Sequence, residues 1–124
     1  MCKSTTMNNN KETGNLGEEI ATKFLTEKGF TVLHRNWRFS HWEVDIIVSK
    51  DHKLHFIEVK TRHTTKYGQP EESIKKDKMK ALKNAAEAYL NLHPQWKYIQ
   101  FDVVAIMLWN DEPKEIFLIE DIYF

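Results

Sequence analysis

Residues 42–60 read WEVDIIVSKDHKLHFIEVK. Two apolar runs flank a polar SKDHK turn, the pattern of an antiparallel strand pair. Glu43, Asp45, Glu58 and Lys60 interrupt it, placing three carboxylates and an ammonium where a core is otherwise expected. Strict alternation puts Glu43, Asp45 and Ile47 on one face of the first strand, and Val44, Ile46 and Val48 on the other. On the second strand Leu54, Phe56, Glu58 and Lys60 oppose His55, Ile57 and Val59. Centring the turn on Asp51–His52 sets Val44 against Val59 and Ile46 against Ile57. The same register sets Asp45 against Glu58 and Glu43 against Lys60. Opposed Cβ atoms lie ~4.5–5.5 Å apart. Two carboxylates at that separation need a divalent cation, a shared proton or the Lys60 ammonium between them. Hard oxygen donors on strands suit Mg²⁺ or Mn²⁺. The alternative is a surface network in which Lys60 simply pairs with Glu43.

Working outward, helical spacing of Leu16, Ile20, Ala21, Phe24 and Leu25 predicts a helix over 15–28, stopped by Gly29. Strands are predicted at 30–37, 43–49 and 54–61, a loop at 64–72, and a long helix over 73–92 ended by Pro94. The continuous apolar run 98–109 predicts a strand covered on both faces, and 115–124 an edge strand. The order α-β-β-β-α-β-β implies a small α/β fold: a mixed central sheet flanked by helices, with the long helix crossing over to a strand parallel to the third.

Projection of the first helix centres its apolar arc on Gly17, Ile20 and Phe24. Glu18 borders that arc and can reach over the sheet, whereas Glu19 points away. On the second helix Lys78 falls inside the apolar stripe, four residues from both Ile74 and Leu82. A lysine there either snorkels or meets negative charge. Arg35, Arg38 and Arg62 are candidate phosphate contacts.

The chain of 124 residues has the length of one domain. Residues 1–13 read as a disordered tail and 14–124 as a single domain. Net charge is zero, but 60–83 holds eight Lys or Arg against three Asp or Glu, and 101–124 one Lys against six acids. This asymmetry describes either a basic phosphate-attracting face or an ordinary solvated surface. No apolar run approaches the ~20 residues that cross a bilayer, so no membrane partner is expected. Cys2 is the single cysteine, which excludes an internal disulfide and predicts a reducing, cytoplasmic setting. The histidines lack zinc-ligand spacing, and no glycine-rich phosphate loop is present.

The segments GNLGEEIA, NWR, EVDII, FIEVKTR, YGQP, Lys78 and FDVV, taken together and in order, resemble the YraN-like family of small bacterial proteins. More remotely, Glu18, Asp45 and the Glu58-x-Lys60 pair are similar to the PD-(D/E)xK nuclease superfamily, including archaeal Holliday-junction resolvases. That resemblance implies a restriction-endonuclease-like core and a metal-dependent nuclease acting on nucleic acid, most simply DNA. Carried over, Asp45 and Glu58 would ligate Mg²⁺ or Mn²⁺, Lys60 would assist the attacking water, and Glu18 would ligate the metal or orient water. Glu43 would be accessory, and Lys78, Arg38 and Arg62 would contact nucleic acid. Two positions depart from the family: Trp42 replaces a usual glycine, and Gln100 replaces an arginine before Phe101–Asp102. The indole serves either base stacking or rim packing; the glutamine removes a positive charge near Asp102. A non-catalytic nucleic-acid or protein-binding module is the alternative function, and a homodimer, by edge pairing of the last strand or as a junction-cleaving role favours, is a further possibility.

Overall fold

The computed structural model describes residues 9–63, 76–110 and 112–122. Helix α1 spans Asn9–Glu27, followed by β1 (Thr31–Phe39), β2 (Trp42–Lys50) and β3 (Lys53–His63). Helix α2 (Lys76–Leu92) then leads to β4 (Tyr98–Trp109) and β5 (Glu112–Ile119). One sheet carries all five strands in the order β1-β2-β3-β4-β5. Its first three strands form the expected antiparallel meander, β4 joins β3 in parallel, and β5 returns antiparallel at the edge.

Most element ends fall within two residues of expectation, and the larger differences lie in the first helix and the last strand. Helix α1 begins at Asn9 and takes in residues 9–13, which the sequence places in the tail. That stretch carries no apolar periodicity to reveal a helix, yet extending a formed helix by a turn is inexpensive. The last strand, expected over 115–124, runs Glu112–Ile119 and does not continue over 120–122, while 123–124 lie outside the described residues. The predicted tail residues 1–8, the loop 64–72 and the start of the long helix at 73–75 lie outside the described residues.

Local chemistry fixes the ends and registers. Gly29 sits at φ 96°; its N–H donates to the Thr26 carbonyl and that of Phe30 to the Leu25 carbonyl, both at 3.0 Å. This is a Schellman cap, and Phe30 and Leu25 complete it by packing in one cluster. Asp51 (φ 53°) and His52 (φ 66°) both adopt the left-handed conformation between paired Lys50 and Lys53. A two-residue turn of that kind matches the strand twist, and it sets Ile46 against Ile57 as the sequence predicts.

The sheet is covered on both sides. Ala21 and Leu25 of α1 pack on Ile46, Val48, Ile57, Val104 and Ile106. Met79, Leu82, Ala85 and Tyr89 of α2 pack on Val44, Ile47, Leu54 and Phe56. Gly17 lets α1 approach the sheet: a Cβ there would clash with Thr61 Oγ1 and lie 3.1 Å from Thr61 Cβ. Gly17→Ala is therefore expected to destabilise the fold by roughly 1–2 kcal/mol, overpacking outweighing the helix propensity gained. Urea denaturation measures it; a stabilised variant would show that helix and strand are not in this contact.

Candidate active site

The strand alternation breaks where the acidic residues begin. Arg35 pairs with Ile46 in the β1–β2 ladder, and Trp37 with Val44. Between them Asn36 takes a left-handed backbone, φ 53°, tolerable for asparagine. On one side of this break Arg35 reaches Glu19 of α1 at 3.7 Å. On the other, Trp37 meets Tyr89 of α2 edge-on. Val44 accordingly packs under α2 while Ile46 packs under α1; the expected common face for Val44, Ile46 and Val48 is corrected. Asp45 lies at the switch.

The β2–β3 ladder also ends there, at Ile46–Ile57. The Asp45–Glu58 rung that strict pairing predicts is absent, because the Asp45 carboxylate takes the place of a backbone partner. Its Oδ2 accepts the Val59 N–H at 2.9 Å. The predicted Glu43–Lys60 pair is likewise replaced: Glu43 stands opposite Arg38 on β1 and meets its guanidinium at 3.6 Å. Two strands part, and an aspartate fills the opening.

Glu58 shares the α2 side of β3 with Phe56. It is 7% exposed, and its Oε2 lies 3.4 Å from Lys78 Nζ. Its other oxygen, Oε1, is buried with no hydrogen-bond partner among the described residues. Burial, and then the neighbouring Asp45 charge, push the Glu58 carboxyl up to about 7 against the opposition of Lys78 and Lys60. Burial also raises Asp45, opposed by the Val59 N–H and Lys78. The two carboxyls are near enough to shift one another's proton affinity. Glu18 joins from α1: burial and then Asp45 raise it, while the Asn36 side chain, hydrogen-bonded to it, and Arg35 lower it.

Thus Asp45 and Glu58 come together, with Lys60 and Lys78 acting on Glu58 and Glu18 bordering Asp45. Lys78 meets a carboxylate, one of the two situations its place in the apolar stripe suggests. Arg38 is engaged by Glu43, and Arg62 is exposed on β3. Among the described residues no three His, Cys, Asp or Glu side chains gather closely enough to hold a metal ion. Mg²⁺, however, commonly uses only one or two protein carboxylates. The partnerless Glu58 Oε1 beside Asp45 fits such a cation.

Sequence reasoning missed Asn36, whose contribution depends on backbone conformation and leaves no periodic trace. It also missed how completely Asp102 is used. That carboxylate is fully buried; it accepts from His55 Nδ1 at 2.7 Å and from Gln100 Nε2 and the Asp121 N–H, each at 2.9 Å. Asp102 joins β3, β4 and the segment after β5.

Residues 17–106 match the family described as uncharacterised protein family UPF0102. The chain belongs to the UPF0102 family. A UPF0102 protein of Chloroherpeton thalassium is 41% identical over 125 residues, covering 94% of this chain and 97% of the relative. One from Dictyoglomus turgidum is 45% identical over 101 residues, 81% of this chain and 86% of its own. One from Bacteroides thetaiotaomicron is 38% identical over 116 residues, 90% and 96% respectively. The match takes in Glu18, Asp45, Glu58, Lys60 and Lys78. Among the described residues no helix is long and apolar enough to cross a membrane.

Proposed function

We propose that this UPF0102 protein is a metal-dependent nuclease, hydrolysing phosphodiester bonds of nucleic acid, with DNA as the first substrate to test. The observation that carries the reading is a pair of neighbouring carboxyls, half-buried Asp45 and buried Glu58, set where β2 and β3 part. The mixed sheet between two helices, in the order α-β-β-β-α-β-β, agrees with a restriction-endonuclease-like core.

Asp45 and Glu58 would hold Mg²⁺ or Mn²⁺, with Glu18 nearby to orient water, since among the described residues no third carboxylate gathers with the pair closely enough to ligate. Such a cation polarises a phosphodiester and makes water acidic enough to attack at neutral pH. The chain's own groups do the rest. Val59 N–H fixes the Asp45 carboxylate, and Lys78 fixes one oxygen of Glu58 while leaving the other available. Lys60, two residues along β3, supplies positive charge where negative charge grows on the phosphate oxygens. Glu18, with its proton affinity raised, is suited to take a proton from water.

Incubation with Mn²⁺ and branched, flapped and single-stranded DNA tests the proposal. Cleavage that disappears in Lys60→Ala supports it. Cleavage undiminished in that variant would remove Lys60 from the reaction, and no cleavage of any substrate would leave a non-catalytic binding module.

A further inference from the structure

A second feature lies at the same end of the sheet as the acidic pair. The turn between β1 and β2 carries Phe39 and Trp42, whose rings lie 13° from parallel at 6.4 Å. Trp37 continues the row, 10° from parallel with Phe39 at 6.2 Å. Phe39 and Trp42 form one wall of a cavity of about 260 Å³ whose opposite wall is α2. Ala88 and Leu92 give that helix wall an apolar surface, and Asn84, Asn91 and Glu87 give it polar edges. Phe39 is 43% exposed and Leu92 57%, so both offer apolar surface to solvent.

We propose that this cavity receives an extrahelical base of a bound nucleic-acid strand; the inference rests on the nuclease reading above. The volume falls just below the ~300 Å³ at which pockets for drug-sized ligands begin, so it suits a single heteroaromatic ring system. Aromatic faces stack on any base. Side-chain amides present a donor and an acceptor together, matching the donor–acceptor edge of a base, and a carboxylate accepts from an exocyclic amino group. Trp42 is three residues from Asp45 on β2, which places the cavity ~10 Å along the strand from the acidic pair. Continuity with the proposed hydrolytic site, together with stacking and amide chemistry, favours a strand over a protein segment.

The experiment uses the full chain in chelator, so that binding is read without cleavage. A DNA duplex with a single bulged 2-aminopurine is compared with the same duplex abasic at the bulge and with the fully paired duplex. The bulged base should bind about tenfold tighter than its abasic counterpart, with its fluorescence quenched by stacking. Phe39→Ala and Asn84→Ala should each bring that ratio towards one while changing affinity for the paired duplex less than twofold. Asn91→Ala, at an exposed position, serves if either variant melts below the parent. Equal affinity for base and abasic site, or a uniform loss on all DNA, would overturn the inference. Competition by free deoxynucleoside monophosphate at the same concentration as the bulged strand would also overturn it, by making the ligand a nucleotide. Mn²⁺-dependent cleavage without base preference defeats this inference alone, whereas base preference without cleavage defeats only the hydrolytic reading.

Discussion

Asp45→Asn is expected to lose DNA cleavage by at least ~10³-fold while folding at least as well as the parent. The two effects have one origin. Asp45 sits half-buried beside buried Glu58, and burial raises the proton affinity of both carboxyls. An amide keeps the acceptor that receives the Val59 N–H, removes a half-buried negative charge next to Glu58, and offers a donor towards the partnerless Glu58 Oε1. Gaining a hydrogen bond to a charged group contributes roughly 1–2 kcal/mol at neutral pH. The same exchange removes half of the negative charge available to a cation, and with it the means of activating water. Cleavage rates in Mn²⁺ and urea midpoints at pH 7.5 give the two readings. A variant that is both less stable and fully active would mean that Asp45 serves structure only. A site whose disarming strengthens the fold is what is expected when stability is held below its maximum for function.

The stretch that holds this pair was also the most legible part of the sequence. Its turn residues Asp51 and His52 accept left-handed backbone, so the register from Lys50–Lys53 to Ile46–Ile57 followed from turn length and apolar matching. Helix α1's stop at Gly29 and the strand Tyr98–Trp109 were equally plain. Alternation failed one rung further, at Asp45. A period-two pattern assumes extended backbone throughout, and Asn36 on the neighbouring strand does not supply it. Asp45 and Glu58 do come together, but through another connection than the one expected: side chain to backbone at Val59, not rung to rung. Glu18 was legible because its helix has one buried line, Gly17–Ala21–Leu25, and Glu18 borders it. Base stacking was one of two readings of the Trp42 indole, but the cavity beside it was not legible. Phe39 and Trp42 meet Asn84 and Leu92 only after α2 has docked, and no local pattern relates residues that far apart in sequence.

Glu58→Gln should flatten the dependence of stability on pH and abolish stabilisation by Mn²⁺. Glu58 is almost wholly buried, and its carboxyl, ordinarily near 4.5, is pushed up to about 7. Between those values the folded chain holds a proton that the unfolded chain releases. Stability from this group is thus fully present below about pH 4.5 and is lost as pH rises through 7. The loss amounts to about 3 kcal/mol between pH 4 and pH 8. Glutamine does not titrate, so the variant should match the parent near pH 4 and exceed it by up to that amount at pH 8. A cation bound by Asp45 and Glu58 opposes the loss by taking the place of the proton on Glu58. At pH 8, Mn²⁺ at 100 times its dissociation constant should restore ~2.7 kcal/mol to the parent and nothing to the variant. Because proton and cation compete for the same oxygens, Mn²⁺ affinity in the parent should weaken progressively below pH 7. Urea denaturation from pH 4 to pH 8, with and without Mn²⁺, measures all three effects. Parallel profiles for parent and variant would mean that Glu58 is no strained acid. A metal response that survives in Glu58→Gln would move the cation to other ligands and take the proposed hydrolysis away from this pair.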